Sequence, residues 1–380
     1  MSRGAALRPA DLRRTFVTVD DPRWRQAHGS TVLVTDGTAG REVLVAWFAG
    51  EREGAEDSSV WLARRDLDGG AWGEPERLLD GPPAHWNPVL AEGPEGDTWL
   101  FAKRGELISA WQTWVRRSAD GGTSWGEPHP LVPGDVGGRG PVRNPPLLLD
   151  DGTWLAPSST ERWGEHPRWE SSVDRSTDGG RTWTAAEVPL DRSRLRGAGA
   201  IQPALWASTA DGVRAVHALL RSSEGRAYRS RSLDGGRTWS PAEPGPLPNG
   251  NAALAVVGLG DGRVVCAHNP ADGDWAPRCP LVLSVSADDG ATWRTAAVLD
   301  DGCTPVDDDP SRRPAQPAPD GFAPADGGVA TDGTGEYSYP ALALADGVLH
   351  ATWTWQRRGI AHAAVPLDDL TWPDLLEDLP

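Results

Sequence analysis

The apolar positions of this chain fall in short runs. Glu42-Val-Leu-Val-Ala-Trp-Phe48 and Val213-Arg-Ala-Val-His-Ala-Leu-Leu220 are typical, and each is bounded by Asp-Gly turns. Runs of that length between turn formers predict strand after strand. No long segment carries a helical period, so the pattern predicts an all-β chain.

The turns repeat. Ser118-Ala-Asp120-Gly-Gly-Thr-Ser-Trp125 returns as Ser176-Thr-Asp178-Gly-Gly-Arg-Thr-Trp183, Ser232-Leu-Asp234-Gly-Gly-Arg-Thr-Trp239 and Ser286-Ala-Asp288-Asp-Gly-Ala-Thr-Trp293. A degraded copy, Asp66-Leu-Asp68-Gly-Gly-Ala-Trp72, precedes them. A period near fifty residues marks a propeller or an array. Ser and Asp accept hydrogen bonds from backbone amides two residues on, and Gly supplies the positive φ of a tight hairpin. Each copy therefore reads as a self-locked turn between antiparallel strands, with its Trp buried between neighbouring sheets. Its Asp is architectural rather than catalytic.

The pattern S/T-x-D-x-G-x-T-W resembles the Asp-box, or bacterial neuraminidase repeat, of the sialidase superfamily, over about Ala27 to Ala364. The resemblance implies a six-bladed β-propeller with four antiparallel strands per blade and the boxes on the face away from the active site. Five boxes and a last unit near Tyr337–His362 account for six blades, so residues 1–380 read as one domain. Residues 1–20 read as a lead-in, and 307–335, rich in Pro, Asp and Gly, as a long surface loop.

Composition narrows the partners. A net charge of −17 argues against general binding to nucleic acid or an anionic membrane, though a pocket can be locally basic. Cys266, Cys279 and Cys303 have neither metal spacing nor an even count. No secretion signal or apolar run of membrane length stands out. The expectation is a cytoplasmic protein that needs no metal or cofactor and acts on a small molecule or glycan; oligomeric state is left open.

Sialidases bind a sugar carboxylate with three arginines and attack with a tyrosine, which a glutamate activates; an aspartate is their acid/base. The resemblance puts Tyr337, in Glu336-Tyr337-Ser338-Tyr339, on the nucleophile, with Tyr339 as the alternate. Arg221 falls on the second arginine, and Arg226 reads as a solvated turn residue. Asp57 is the acid/base candidate, with Glu56 and Glu53 beside it. Two positions depart from the family. His28 stands where the first arginine belongs, and Gln202, which cannot take a proton at neutral pH, stands where the glutamate does. The third arginine is open among Arg278, Arg312, Arg313 and Arg357.

These substitutions resemble the divergent branch of the superfamily. That branch shares His85-Trp86-Asn87-Pro88, Arg143-Asn144-Pro145-Pro146, Pro157-Ser158-Ser159-Thr160-Glu161, Leu247-Pro248-Asn249-Gly250-Asn251 and Trp353–His362. Asn87, Asn144 and Asn251 are candidate sugar hydrogen-bonders, Trp86 and Trp111 candidate stacking faces, and His28 a candidate acid or base. The functional expectation is an exo-acting glycoside hydrolase on an acidic sugar or related glycoside, with a modified sialidase site. A non-catalytic glycan-binding propeller, and a histidine-assisted lyase or tailoring enzyme, are the alternatives.

Overall fold

A computed structural model describes residues 5–37, 40–210, 212–312 and 335–373. The described residues form six antiparallel sheets of four strands. Blade one is Gln26–Gly37, Gly40–Gly50, Ser59–Asp66 and Glu76–Leu79. Blade two is His85–Glu92, Thr98–Arg104, Gln112–Ser118 and His129–Pro130. Blade three is Leu147–Leu148, Trp154–Arg162, Arg168–Ser176 and Thr184–Val188. Blade four is Ala200–Ser208, Ala215–Ser222, Arg226–Ser232 and Glu243–Pro248. Blade five is Ala255–Gly258, Val264–His268, Leu281–Ser286 and Arg294–Asp300.

Blade six closes the ring with both ends of the chain. Tyr337–Ala345, Val348–Trp355 and Gly359–Pro366 are joined by Arg13–Val19 as the outer strand, so the expected lead-in carries a strand. The loop read over 307–335 falls mostly on residues outside the described set; of it, Pro310–Arg312 forms a 3₁₀ turn.

The core is six apolar wedges, one at each blade junction. Between blades one and two, Leu44, Ala46 and Leu62 meet Leu90, Leu100 and Ala102. Between five and six, Val265, Leu283 and Val285 meet Tyr337, Leu349, Trp353 and Trp355. The other four junctions are filled the same way. Each sheet buries both faces, which is why inner strands such as Val43–Ala49 read as nearly continuous apolar runs.

The boxes sit where the third strand ends, at equivalent registers: Ser118 opposite Thr98, Ser176 opposite Trp154, Ser232 opposite Val216 and Ser286 opposite Val264. In box two, Ser118 Oγ donates to Asp120 at 2.7 Å and accepts the Gly122 amide at 2.7 Å, while Asp120 accepts the Ser124 amide at 2.8 Å. Such bonding holds the Asp120 and Asp178 carboxyls at about 2. The last box Gly is required by approach to the preceding blade: a Cβ at Gly122 would lie 2.6 Å from Leu44. Of the box indoles expected to be buried, only Trp239 is; Trp125, Trp183 and Trp293 are half-buried. Their rings lean over the hairpin, and Trp183 and Trp293 donate to Gly180 and Gly290 carbonyls at 3.0 Å.

Candidate functional site

The site begins with one backbone irregularity repeated around the ring. In four blades the pairing of the innermost strand skips two residues near its start: Gly29-Ser30, Asn87-Pro88, Gln202-Pro203 and Tyr339-Pro340. The first of each pair has positive φ, at 65°, 43°, 54° and 51°. Three are followed by Pro, which has no N–H to give the ladder. Asn251, just before the inner strand of blade five, has φ 56°. A Gln or Tyr held there costs on the order of 1–3 kcal/mol, and such strain clusters at functional sites. Asn87, Gln202 and Tyr339 all line one pocket.

The bulges free backbone carbonyls near the axis, and the segment leading into blade three satisfies them. Arg143 donates to the carbonyls of Ser30, Tyr339 and Pro340 at 2.7, 2.5 and 2.7 Å. Asn144 donates to those of Gln202 and Pro203 at 3.2 and 3.1 Å. Burial lowers the Arg143 guanidinium to about 10. Asn144, expected to meet sugar, is bound into this plug instead.

The pocket is about 330 Å³. It lies at the opposite end of the sheets from the boxes, since His85, Arg104 and Gln112 pair at one end of blade two and Glu92, Thr98 and Ser118 at the other. Three arginines reach it: Arg221, Arg278 and Arg357. Arg357 is consumed by carboxylates, 2.5 Å from Glu53 and 2.8 Å from Glu336. Burial opposes its charge, but Glu336 and Glu53 prevail and raise its basicity. Burial likewise opposes the charge on Glu336, yet Arg357 and Arg278 hold its carboxyl below the usual range.

Arg221 and Arg278 have no carboxylate at hydrogen-bond distance among the described residues. Arg221 donates to Asn251 Oδ1 at 2.8 Å, Gln202 Oε1 at 3.3 Å and the Tyr339 hydroxyl at 3.2 Å. Asn251 is thus a brace for Arg221, itself fixed by donation to Asp274 at 2.6 Å. Arg278 is 1% exposed, and its Nη1 has no hydrogen-bond partner; the nearest carboxylate, Glu336, is 3.8 Å away. Arg226, by contrast, donates to the Pro246 carbonyl on the surface, and Arg312 pairs with Asp307 away from the pocket. Arg313 lies outside the described residues.

The two tyrosines part company. Tyr337 is fully buried in the wedge between blades five and six, and its hydroxyl accepts from Gln356 at 3.0 Å. Burial, with Asp300 nearby, pushes that hydroxyl far above its ordinary value. Tyr339 faces the pocket. His28 does not line the pocket; its ring packs on Tyr339 at 4.2 Å, and its Nδ1 meets Thr354 Oγ1 at 2.9 Å. Burial first, then Arg357, Arg278, Arg143 and Arg221, keep this imidazole neutral.

Asp57 is exposed and outside the pocket, where it accepts the Glu51 amide at 2.9 Å. Glu56 is also exposed. Glu53 is the residue of that loop which reaches the pocket. A second carboxylate, within the segment Pro157–Glu161 but not singled out there, is Glu161: 7% exposed, it lines the pocket from the second strand of blade three. Burial raises its carboxyl above the usual range. The signal was the polar run Ser158–Glu161 inside a strand. The rim is aromatic. Trp86 and Trp111 lie 4.8 Å apart, and Trp275, with φ 54°, faces Trp163 at 6.1 Å. Trp163 and Trp275 were not singled out from sequence, although Trp163 is 51% exposed.

With fold and pocket described, the class is a six-bladed propeller built on box-locked blades with a polar pocket at the axis. Residues 41–351 match the model of the BNR repeat-like domain family, and the chain belongs to that family. No curated protein matches it. A protein of unknown function from Dyadobacter fermentans is similar at 17% identity and TM-score 0.66, over 93% of this chain and 97% of that one. The NanB sialidase of Streptococcus pneumoniae is similar at 11% identity and TM-score 0.65, over 95% and 72%. A Trypanosoma rangeli sialidase in complex with sialic acid is similar at 14% identity and TM-score 0.58, over 90% and 54%. The fold is that of sialidases. No helix of the described residues is long and apolar enough to cross a membrane.

Proposed function

We propose that this propeller cleaves a glycoside of an acidic sugar, with Tyr339 as nucleophile and Arg221 and Arg278 as the carboxylate clamp. The observation that carries the reading is the Tyr339 hydroxyl 3.2 Å from Arg221, in a pocket where the buried Arg278 Nη1 has no hydrogen-bond partner. An unpaired buried guanidinium N–H is expensive, and a substrate carboxylate would satisfy it. A phenol suits attack beside that carboxylate, since a carboxylate nucleophile would be repelled; tyrosine nucleophiles are a known departure from the two-carboxylate pattern.

In this reading Arg221 has two tasks. It helps hold the substrate carboxylate and stabilises the charge that grows on Tyr339 Oη as its proton leaves. Arg357, saturated by Glu53 and Glu336, is a strut. His28, neutral and behind the tyrosine ring, fixes its angle. The test is turnover of a panel of aryl glycosides, including sialosides and uronides, alongside neutral congeners. Turnover of an acidic member, lost in Tyr339→Phe, supports the reading. Equal turnover of the neutral congeners, or none at all, contradicts it.

A further inference from the structure

Three carboxylates stand at or beneath the pocket, and they are not equivalent. Glu53 and Glu336 are both ion-paired to Arg357. Glu161 has no guanidinium within 4.0 Å among the described residues, although it is as buried as Glu336. Its strand, Trp154–Arg162, runs beside the inner strand of blade four, and Ser159 two residues earlier accepts the Gln202 amide at 3.2 Å. Glu161 therefore stands next to the residue that replaces the expected base.

Its surroundings suit a carboxyl that carries a proton and then gives it up. Burial disfavours a charge on it and Arg221 favours one, while Glu53 opposes it and the Trp163 side chain favours it. Arg221 itself is held over Trp169 at 5.7 Å, and Trp169 pairs with Glu161 across the ladder. A group poised between neutral and charged forms by burial and one cation is the arrangement that general acids use.

We propose that Glu161 is the proton donor to the leaving group, a role that falls on neither Asp57 nor His28. The inference rests on the glycoside-cleaving reading above. As the bond from the anomeric carbon to the leaving oxygen breaks, its electron pair stays on that oxygen, which takes the proton of Glu161. Tyr339 Oη, whose own proton passes to water in the pocket, forms the new bond to carbon, and it regains a proton from solvent when that bond later breaks. The Glu161 carboxylate so formed is stabilised by Arg221, and it recovers a proton from the water that later releases the sugar.

The test uses the full chain and the isosteric variant Glu161→Gln, compared on acidic-sugar glycosides with a strongly acidic phenol or a simple alcohol as leaving group. Loss on the order of 10²–10⁴-fold for the alcohol, a much smaller loss for the phenol, and disappearance of the alkaline limb of the rate profile are expected. Equal losses on both substrates, or an unchanged alkaline limb, would overturn the assignment. A second measurement needs no turnover: the infrared difference spectrum of wild type minus Glu161→Gln at neutral pH. A protonated-carboxyl band in the difference supports the proposal, and its absence overturns it even where the glycoside reading stands. If that band is present but no glycoside is cleaved, the glycoside reading is what fails.

Discussion

Arg221 donates to the Tyr339 hydroxyl at 3.2 Å, so the second strand of blade four and the first strand of blade six meet across the propeller axis. The two residues are 118 positions apart in the chain, and only ring closure brings them together. Tyr339 is gripped on its other sides by His28 against its ring and by Arg143 on its carbonyl.

The two tyrosines give opposite mutational outcomes. Tyr339→Phe removes the pocket hydroxyl and is expected to lower kcat by at least about a hundredfold, with little change in Tm. Tyr337→Phe loses one buried hydrogen bond, to Gln356, and is expected to cost about 1 kcal/mol of stability with near-normal kcat. Steady-state kinetics and thermal melts of both variants decide the matter.

Arg278→Met fills the volume but deletes the unpaired donor. Loss of one charge-assisted contact is on the order of 2 kcal/mol, so the Kd of an acidic sugar should rise about thirtyfold. A neutral sugar should bind unchanged. Calorimetric titration of both ligands checks this, and equal weakening would mean that Arg278 only supports the pocket wall.

Asp289 stands where the other full boxes carry Gly121, Gly179 and Gly235, and it takes φ 53°. Its carboxylate accepts Trp206 Nε1 at 3.2 Å and Ser208 Oγ at 2.8 Å, stapling blade five to blade four. Asp289→Gly relieves roughly 1 kcal/mol of strain but leaves two donors without their charged partner, at about 1.5–3 kcal/mol each. The bonds win. Net destabilisation of roughly 2–5 kcal/mol is expected in chemical denaturation, with unchanged kinetics at the distant pocket.

Stability should fall steeply on mild acidification. Burial lowers His85, His268 and His350 to about 4, against 6.5 unfolded. Above pH 6.5 neither state is protonated there. Between 6.5 and about 4 the unfolded chain takes up protons that the folded one refuses, so stability is lost as pH falls, by up to about 1.4 kcal/mol per unit for each histidine. His350, whose Nδ1 lies 3.1 Å from His362 Nε2, is the simplest to test. His350→Gln should flatten the decline of Tm in that window; an unchanged slope would show that this histidine does not contribute.

The fold was legible because its signal is local and repeated: Ser, Asp and Gly of each box bond within a few residues, and the chain writes the same turn at every blade. The site was only half legible. Arg221, Gln202, Asn87, Trp86, Trp111 and Arg357 do reach the pocket, each from a short polar segment at a strand end. The choice of Tyr337 over Tyr339 could not be settled by pattern, since residues two apart share a face in a regular strand. The bulge between Ser338 and Ala341 breaks that rule and sends the two rings to different places. Glu53 and Asp57 share one loop, and only its folded path separates them. Glu161 ends the segment Pro157–Glu161, within which only the folded pocket separates the carboxylate from its hydroxyl neighbours.

The central claim is that Tyr339 forms the covalent bond to sugar. Incubation of the protein with a fluorinated, activated acidic-sugar donor, followed by proteolysis and mass spectrometry, tests it directly. The account predicts a single adduct on Tyr339, absent from Tyr339→Phe. An adduct on Tyr337, on Glu53 or on Glu161, or turnover of the donor with no adduct on Tyr339, would contradict it.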